Sequence, residues 1–249
     1  MSGDTVSLPE WERVLTSAAR LQRILPEAVL VGGTAAALYA GHRRSTDADH
    51  ILPDLRQRFD AVLAHLESVA GWKTARVQRP VQILGSLDGI ETGVRQLIRD
   101  EPLETTQAEI LGEKLTLPTP AEILRIKGVL ILRRNATRDY LDFVALAAHI
   151  GDEAVLEALR PFDRLYPQPN GESAMQQLQI QLSDPLPYDL EEARLSEYKN
   201  LAPKWRDWNA VKDEAARLGT LAFDGMAQER DRTKVRKRSG RDRDPGIGR

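Results

Sequence analysis

Two short patterns in this chain have residue types and spacing suited to chemistry. The first is Gly32-Gly33, at the end of the apolar run Ala28-Val29-Leu30-Val31 and ahead of the Ala-rich segment 34–42. Length and β-branching make the run a predicted buried strand, and composition makes the next segment a short, closely packed helix. Gly41 fits the end of that helix. A strand that delivers paired glycines to a helix start lets backbone approach a phosphate, and the free N–H groups there carry partial positive charge. The second pattern is Asp47-Ala48-Asp49, in a segment that turns from polar to apolar. Residues i and i+2 of a strand share a face. Two carboxylates side by side repel unless a cation lies between them. Hard oxygen donors in that number suit Mg²⁺, which takes one or two carboxylates together with substrate phosphates. A phosphate cradle beside such a pair is equipment for moving a phosphorus-centred group.

A second group lies further on. Lys127 has Ile123, Leu124, Leu130 and Ile131 at helical neighbour positions. An ammonium in that surround is costly unless it is paired, or unless its head snorkels out to water. Residues 121–134 and 138–150 predict two helices with a break at Asn135-Ala136-Thr137, Thr137 being a candidate N-cap. In one unbroken helix Lys127 and Asp142 would stand roughly 22 Å apart. A hairpin at the break brings them to similar depth, and the spacing then predicts that Lys127 and the segment Arg138–Asp142 converge on the cleft of Asp47 and Asp49. The bland alternative for Asp142 is a surface ion pair with Arg138 at i,i+4. A third strand carboxylate would come from Asp88, Glu91 or Asp100, of which Glu91 is the best placed.

The elements that must position these groups follow from periodicity. Residues 9–25 and 54–70 carry apolar stripes at helical intervals. From 72 to 117 the period changes to two, with strands in WKTARV, VQILGSL, GIETGVRQLI, LETTQAEIL and EKLTLP. Pro118-Thr119-Pro120 marks a boundary. Residues 152–161 form another helix, 166–189 a long loop interrupted by MQQLQIQL, and 190–227 read as helical again. The order suits an α+β fold with a mixed-sheet core followed by a helical C-terminal part. The expected organisation is a core over 1–120, a helical domain over 121–227 and a disordered basic tail over 228–249.

The chain has 249 residues, 41% hydrophobic and 29% charged, with no cysteine and four histidines at no metal-ligand spacing. That argues against disulfides, thiolate chemistry and zinc. Neither a secretory signal peptide nor a membrane span is predicted, and a reducing, cytoplasmic setting is the expectation. Net charge is −2, but residues 228–249 hold nine Lys/Arg against four Asp/Glu, leaving 26 basic and 33 acidic residues in the rest. Such a basic segment is either a solvated terminus or an arm that contacts nucleic acid.

Strand, Gly-Gly, helix and Asp-x-Asp strand in this order resemble the DNA polymerase β-like nucleotidyltransferase superfamily. Within it, Gly32-Gly33-Thr34-Ala35, Arg44-Ser45-Thr46-Asp47-Ala48-Asp49, the helical Lys127 and Arg138-Asp139-Tyr140-Leu141-Asp142 are similar to the AbiEii-like toxin group. The resemblance spans about residues 28–147. It implies a Mg²⁺-dependent nucleotidyltransferase in which Asp47 and Asp49 hold the metal. Gly32, Gly33, Thr34, Arg44 and Lys127 meet the NTP, and Asp139 or Asp142 orients the acceptor. It further implies a toxin of a toxin–antitoxin pair, a tRNA 3′ end or a protein hydroxyl as acceptor, and a cognate antitoxin as partner. Small-molecule acceptors stay open. The alternative is a degenerate nucleotidyltransferase that binds nucleotide or RNA.

Overall fold

The computed structural model describes residues 9–191 and 193–241, as backbone alone beyond 225. Helix α1 (Glu10–Ile24) leads to the short strand β1 (Val29–Leu30), helix α2 (Gly32–Ala40), strand β2 (Asp47–Leu52) and helix α3 (Leu55–Glu67). Strands β3 (Trp72–Gln78), β4 (Gln82–Leu87) and β5 (Ile90–Gln96) follow, then the hairpin β6 (Thr105–Ile110) and β7 (Glu113–Pro118). The five stretches of period two are therefore five strands, but they divide between two sheets. The main sheet runs β1-β2-β5-β4-β3, and β6-β7 stands apart. Within the main sheet β2 and β5 are parallel and the other neighbours antiparallel.

Alternation along β2 decides the faces. Ala48, His50 and Leu52 are buried, and residues 47, 49 and 51 are half-exposed. Leu52 joins Ile83, Leu87 and Val94 of the sheet with Leu21 of α1 and Leu55, Phe59, Val62 and Leu66 of α3 in one apolar cluster. Helices α1 and α3 thus cover one face, and the acid-bearing face is turned away from them.

The helical part begins at α4 (Pro120–Arg134), capped by the Thr119 side chain, which accepts from the Glu122 N–H. It continues through α5 (Thr137–Ile150), α6 (Asp152–Leu159), the single turn α7 (Phe162–Leu165), α8 (Ala174–Ser183) and α9 (Trp208–Arg241). The larger apolar cluster joins Leu30, Ala35 and Ala36 of the cradle to Ile123, Phe143, Leu178 and Leu218 of these helices. MQQLQIQL, the stretch that interrupts the loop, is a helix, α8. Two sequence expectations change here. Residues 190–191 and 193–207 are turns and irregular backbone with two 3₁₀ segments, Leu195–Glu197 and Pro203–Trp205, and α9 starts only at Trp208. This strap is held by short local turn bonds and by two bonds to distant backbone, Arg44 N–H to Lys199 O at 2.8 Å and Ala202 N–H to His42 O at 2.7 Å. The basic segment lies in α9 as far as Arg241, since Lys, Arg, Glu and Gln are good helix formers; residues 242–249 fall outside the described residues.

The break between α4 and α5 has Asn135 in the left-handed region at φ 44°. Thr137 is not the N-cap of α5; Ala136 is. The Thr137 N–H and hydroxyl instead donate to Asp189 Oδ1, at 2.7 and 2.8 Å, so the strap supplies the missing cap.

Candidate active site

β2 carries Asp47 and Asp49 on its open face, and the parallel register sets Asp47 beside Glu91 and Ala48 beside Thr92. Thr92 is buried and Glu91 exposed, so Glu91 stands on the acids' face. Arg95 shares it, with Nη2 3.7 Å from Asp49 Oδ1. On the other flank Val31 N–H donates to the Asp49 carbonyl at 2.8 Å, holding the start of α2 against the strand. Gly32 has φ +75°, and a Cβ on it would stand 3.6 Å from the Asp49 Cβ. Gly33 is glycine for space: a Cβ there would meet Arg43 Nη2 at 2.3 Å and Ser45 Oγ at 2.9 Å. Ser45 Oγ in turn donates to Asp47 Oδ1 at 2.5 Å, and the Thr34 hydroxyl donates to the Asp47 carbonyl. Thr34 therefore ties the cradle to the acid strand, with its hydroxyl committed to backbone.

Burial pushes the Asp49 carboxyl above the usual carboxylate range. Arg95 pulls it down, Asp47 adds to the rise, and Arg138 and Arg134 pull it down further. Three guanidinium groups thus act on Asp49, and a fourth, Arg43, acts on Asp47. Arg138 is exposed and has no ion-pair partner among the described residues, so the alternative of a surface pair with Asp142 is not made. Arg44 is also exposed, its backbone N–H donating to Lys199 O at 2.8 Å.

Behind the glycine turn lies a buried ionic cage. The α4–α5 hairpin sets Lys127 Nζ 2.7 Å from Asp142 Oδ2 and 3.5 Å from Asp139 Oδ1. Arg43 forks onto Asp142 through Nε at 2.8 Å and Nη2 at 3.0 Å, and His42 Nε2 lies 2.7 Å from Oδ1. Arg134 Nη2 donates to Asp139 Oδ1 at 2.7 Å. Burial alone would push the Asp142 carboxyl up, but Arg43, Lys127 and the His42 hydrogen bond overcome it and hold it well below the ordinary range. Lys127 is 1% exposed and both acids 0%, so the ammonium does not snorkel. Its charge is spent on two carboxylates. Asp139 and Asp142 are not presented to the open face, because cations occupy their oxygens. What the cage does is fix Arg43, which runs from Asp142 to the glycine turn, and Arg134, which runs from Asp139 toward Asp49.

His42, Arg43, Arg95 and Arg134 had no part in the sequence reading. Arg43 adjoins the acid motif and could have been singled out for that. His42, 100 residues from Asp142, carries no local signal. On the strap, the Tyr198 ring lies 5.7 Å from Arg43 Cζ and closes the cage from outside.

Among the described residues no three His, Cys, Asp or Glu side chains gather as a metal cluster. The donor set is Asp47 and Asp49. An oxygen-only pair, with one carboxyl pushed up by burial and by its neighbour, fits a hard divalent cation that keeps waters and takes its other ligands from substrate.

No family model matches the chain. It is 32% identical over 203 residues to the heme uptake protein MmpL11 of Mycobacterium tuberculosis, a match covering 71% of this chain and 20% of that protein. It is 30% identical over 186 residues to the mycolic acid-containing lipids exporter MmpL11 of Mycolicibacterium smegmatis, covering 74% and 19%. The chain thus spans about a fifth of the length of these relatives, and among its described residues no helix is long and apolar enough to cross a membrane. Among solved structures, ANT(2")-Ia in complex with adenylyl-2"-tobramycin aligns with TM-score 0.44 and 14% identity, over 60% of this chain and 98% of that one. An H. pylori protein assigned as a nucleotidyltransferase aligns with TM-score 0.50 and 17% identity, covering 92% of this chain and 97% of that one. The α+β architecture described above, mixed sheet and C-terminal helices together, matches the fold of that H. pylori protein.

Proposed function

We propose that the chain transfers a nucleoside monophosphate from an NTP to an acceptor hydroxyl, with Mg²⁺ held by Asp47 and Asp49. The observation that carries this reading is the placement of both acids on one open strand face against the left-handed Gly32 turn. The start of α2 receives phosphate oxygens through its free N–H groups. Arg138, exposed and without an ion-pair partner among the described residues, and Arg95 on β5 balance the triphosphate's charge. When bound, Mg²⁺ neutralises phosphate charge and polarises the α-phosphoryl group. Glu91, beside Asp47 and exposed, accepts the proton of the acceptor hydroxyl. The acceptor oxygen bonds to the α-phosphorus as the bond to the bridging oxygen breaks, and pyrophosphate leaves with that electron pair. Lys127, Asp139 and Asp142 act from behind, as the cage that positions Arg43 and Arg134.

The motifs Gly32-Gly33-Thr34-Ala35, Arg44-Ser45-Thr46-Asp47 and Arg138–Asp142 extend the proposal to a cytoplasmic toxin with a cognate antitoxin, labelling a tRNA 3′ end or a protein. One observation favours the second reading, a nucleotide- or RNA-binding module without turnover: the motif groups Lys127 and Asp142 are locked on each other. Incubation with each α-labelled NTP, Mg²⁺ and cell extract separates the two. Wild type is expected to label a macromolecule or small acceptor, and EDTA, Asp47→Ala or Asp49→Ala to abolish labelling with the melting temperature held. Nucleotide binding with no label in any fraction would leave only the binding module.

A further inference from the structure

A cavity of about 580 Å³ opens at the end of the sheet where β2 and β5 begin, lined by Glu10 and Arg13 of α1, Thr46 ahead of β2, Gly89 of the β4–β5 turn, Glu91 and the strap's Lys199. That volume lies within the range of small-ligand pockets, roughly 300–1,000 Å³. Its position follows from the sheet order. The glycine turn adjoins β2 from the β1 side, whereas Glu91 and the cavity lie on the β5 side. In-line displacement puts the attacking and leaving oxygens on opposite sides of phosphorus. Phosphates seated on the glycine turn therefore leave the β5 side for the incoming group.

The charges of the wall say what that group carries. Lys199 Nζ is paired with Glu10 Oε1 at 2.5 Å. Among the described residues Arg13 and Glu91 have no ion-pair partner, and both are exposed. The Arg13 guanidinium reaches the rim formed by the β4–β5 turn, with Nη2 3.9 Å from where a Gly89 Cβ would stand. Resting on the transfer reading above, we propose that this cavity is the acceptor's binding site. Its occupant presents a hydroxyl toward Glu91 and a phosphate or carboxylate to Arg13, both of which line the cavity. An arginine fork with no acidic partner is a ready phosphate site, and the strap, through Lys199, forms the wall opposite the sheet. The occupant's source is either a free sugar phosphate or the terminal nucleotide of a chain, since both carry a hydroxyl and a phosphate on one sugar.

The test uses the whole chain loaded with Mg²⁺ and a non-hydrolysable NTP. Ribose 5-phosphate, neutral ribose and a short oligoribonucleotide with a free 3′-hydroxyl are titrated separately by calorimetry. Ribose 5-phosphate is expected to bind and ribose not, and Arg13→Ala is expected to weaken the phosphorylated probe about tenfold or more. Arg13→Glu should abolish its binding, and neither variant should alter NTP affinity. Tighter binding of the oligoribonucleotide than of ribose 5-phosphate assigns the phosphate to a chain end, and weaker binding assigns it to a free small molecule. Equal binding of ribose and ribose 5-phosphate, or no effect of either Arg13 variant, overturns the proposal. Failure of the wild type to bind the NTP overturns the transfer reading instead, and the two failures are read in separate titrations.

Discussion

At the scale of single residues, Asp142 shows why its local spacing misleads. Arg138 lies four residues before it on the same helix, yet the carboxylate is taken by His42, Arg43 and Lys127, all buried. A buried ion pair gains little over an apolar isostere, but removal of one partner strands the others. Asp142→Ala leaves Arg43 and Lys127 without their shared counter-charge and is expected to cost about 3–5 kcal/mol. Lys127→Met removes one cation while Arg43 still balances Asp142 and Arg134 still balances Asp139. Its expected cost is about 1 kcal/mol or less, with the stem's packing retained. Urea denaturation of the two variants checks the order; a Lys127→Met protein as unstable as Asp142→Ala would mean that the ammonium, not the carboxylate, organises the cage.

At the scale of elements, the start of α2 is a joint between the acid strand and the cage. Gly33 needs no unusual dihedral; its hydrogen leaves the space that Arg43 and Ser45 occupy. The Arg43 tip cannot swing aside cheaply, because both its bonded nitrogens are held by Asp142. Gly33→Ala should therefore lower stability by about 1–3 kcal/mol, as overpacking does, and weaken NTP binding in proportion to the displacement of Arg43 and Ser45. Thermal melts and an NTP titration measure both. An unchanged melting temperature would show that the fork on Asp142 is loose.

At the scale of the molecule, pH should act on stability in two windows. Burial pushes the His50 pKa from 6.5 down to about 4. As pH falls through 6.5 the unfolded chain takes up a proton at this residue that the folded chain refuses, so stability falls until the folded group also titrates near 4. The full effect is about 3 kcal/mol. Asp142 has the same sign in a lower window: its folded pKa lies well below 3.8, so its contribution is present above the unfolded value and is lost only as pH drops below about 4. Urea midpoints from pH 7 to 3 should show both declines. His50→Leu should flatten the upper one alone, and an unchanged upper slope in that variant would assign the titration elsewhere.

What the sequence determined by itself was what short-range periodicity can encode. A period of two puts Asp47 and Asp49 on one face. Paired glycines after an apolar run mark the helix start, and Asn135-Ala136-Thr137 marks the hairpin that joins Lys127 to Asp142. The strands of 72–117 were legible for the same reason, as was the α+β class. Tertiary structure alone decided which elements meet. Nothing local says that β5 inserts beside β2 and stands Glu91 against Asp47, since strand order is set by packing on α1 and α3 rather than by the strands' own patterns. The burial of Lys127 and the recruitment of His42 and Arg43 depend on contacts 99 and 100 residues apart in sequence, for Arg43 and His42 respectively. The strap misled because its backbone groups are satisfied by isolated turn bonds and, at Lys199 and Ala202, by distant partners, and such bonds leave no period in the sequence.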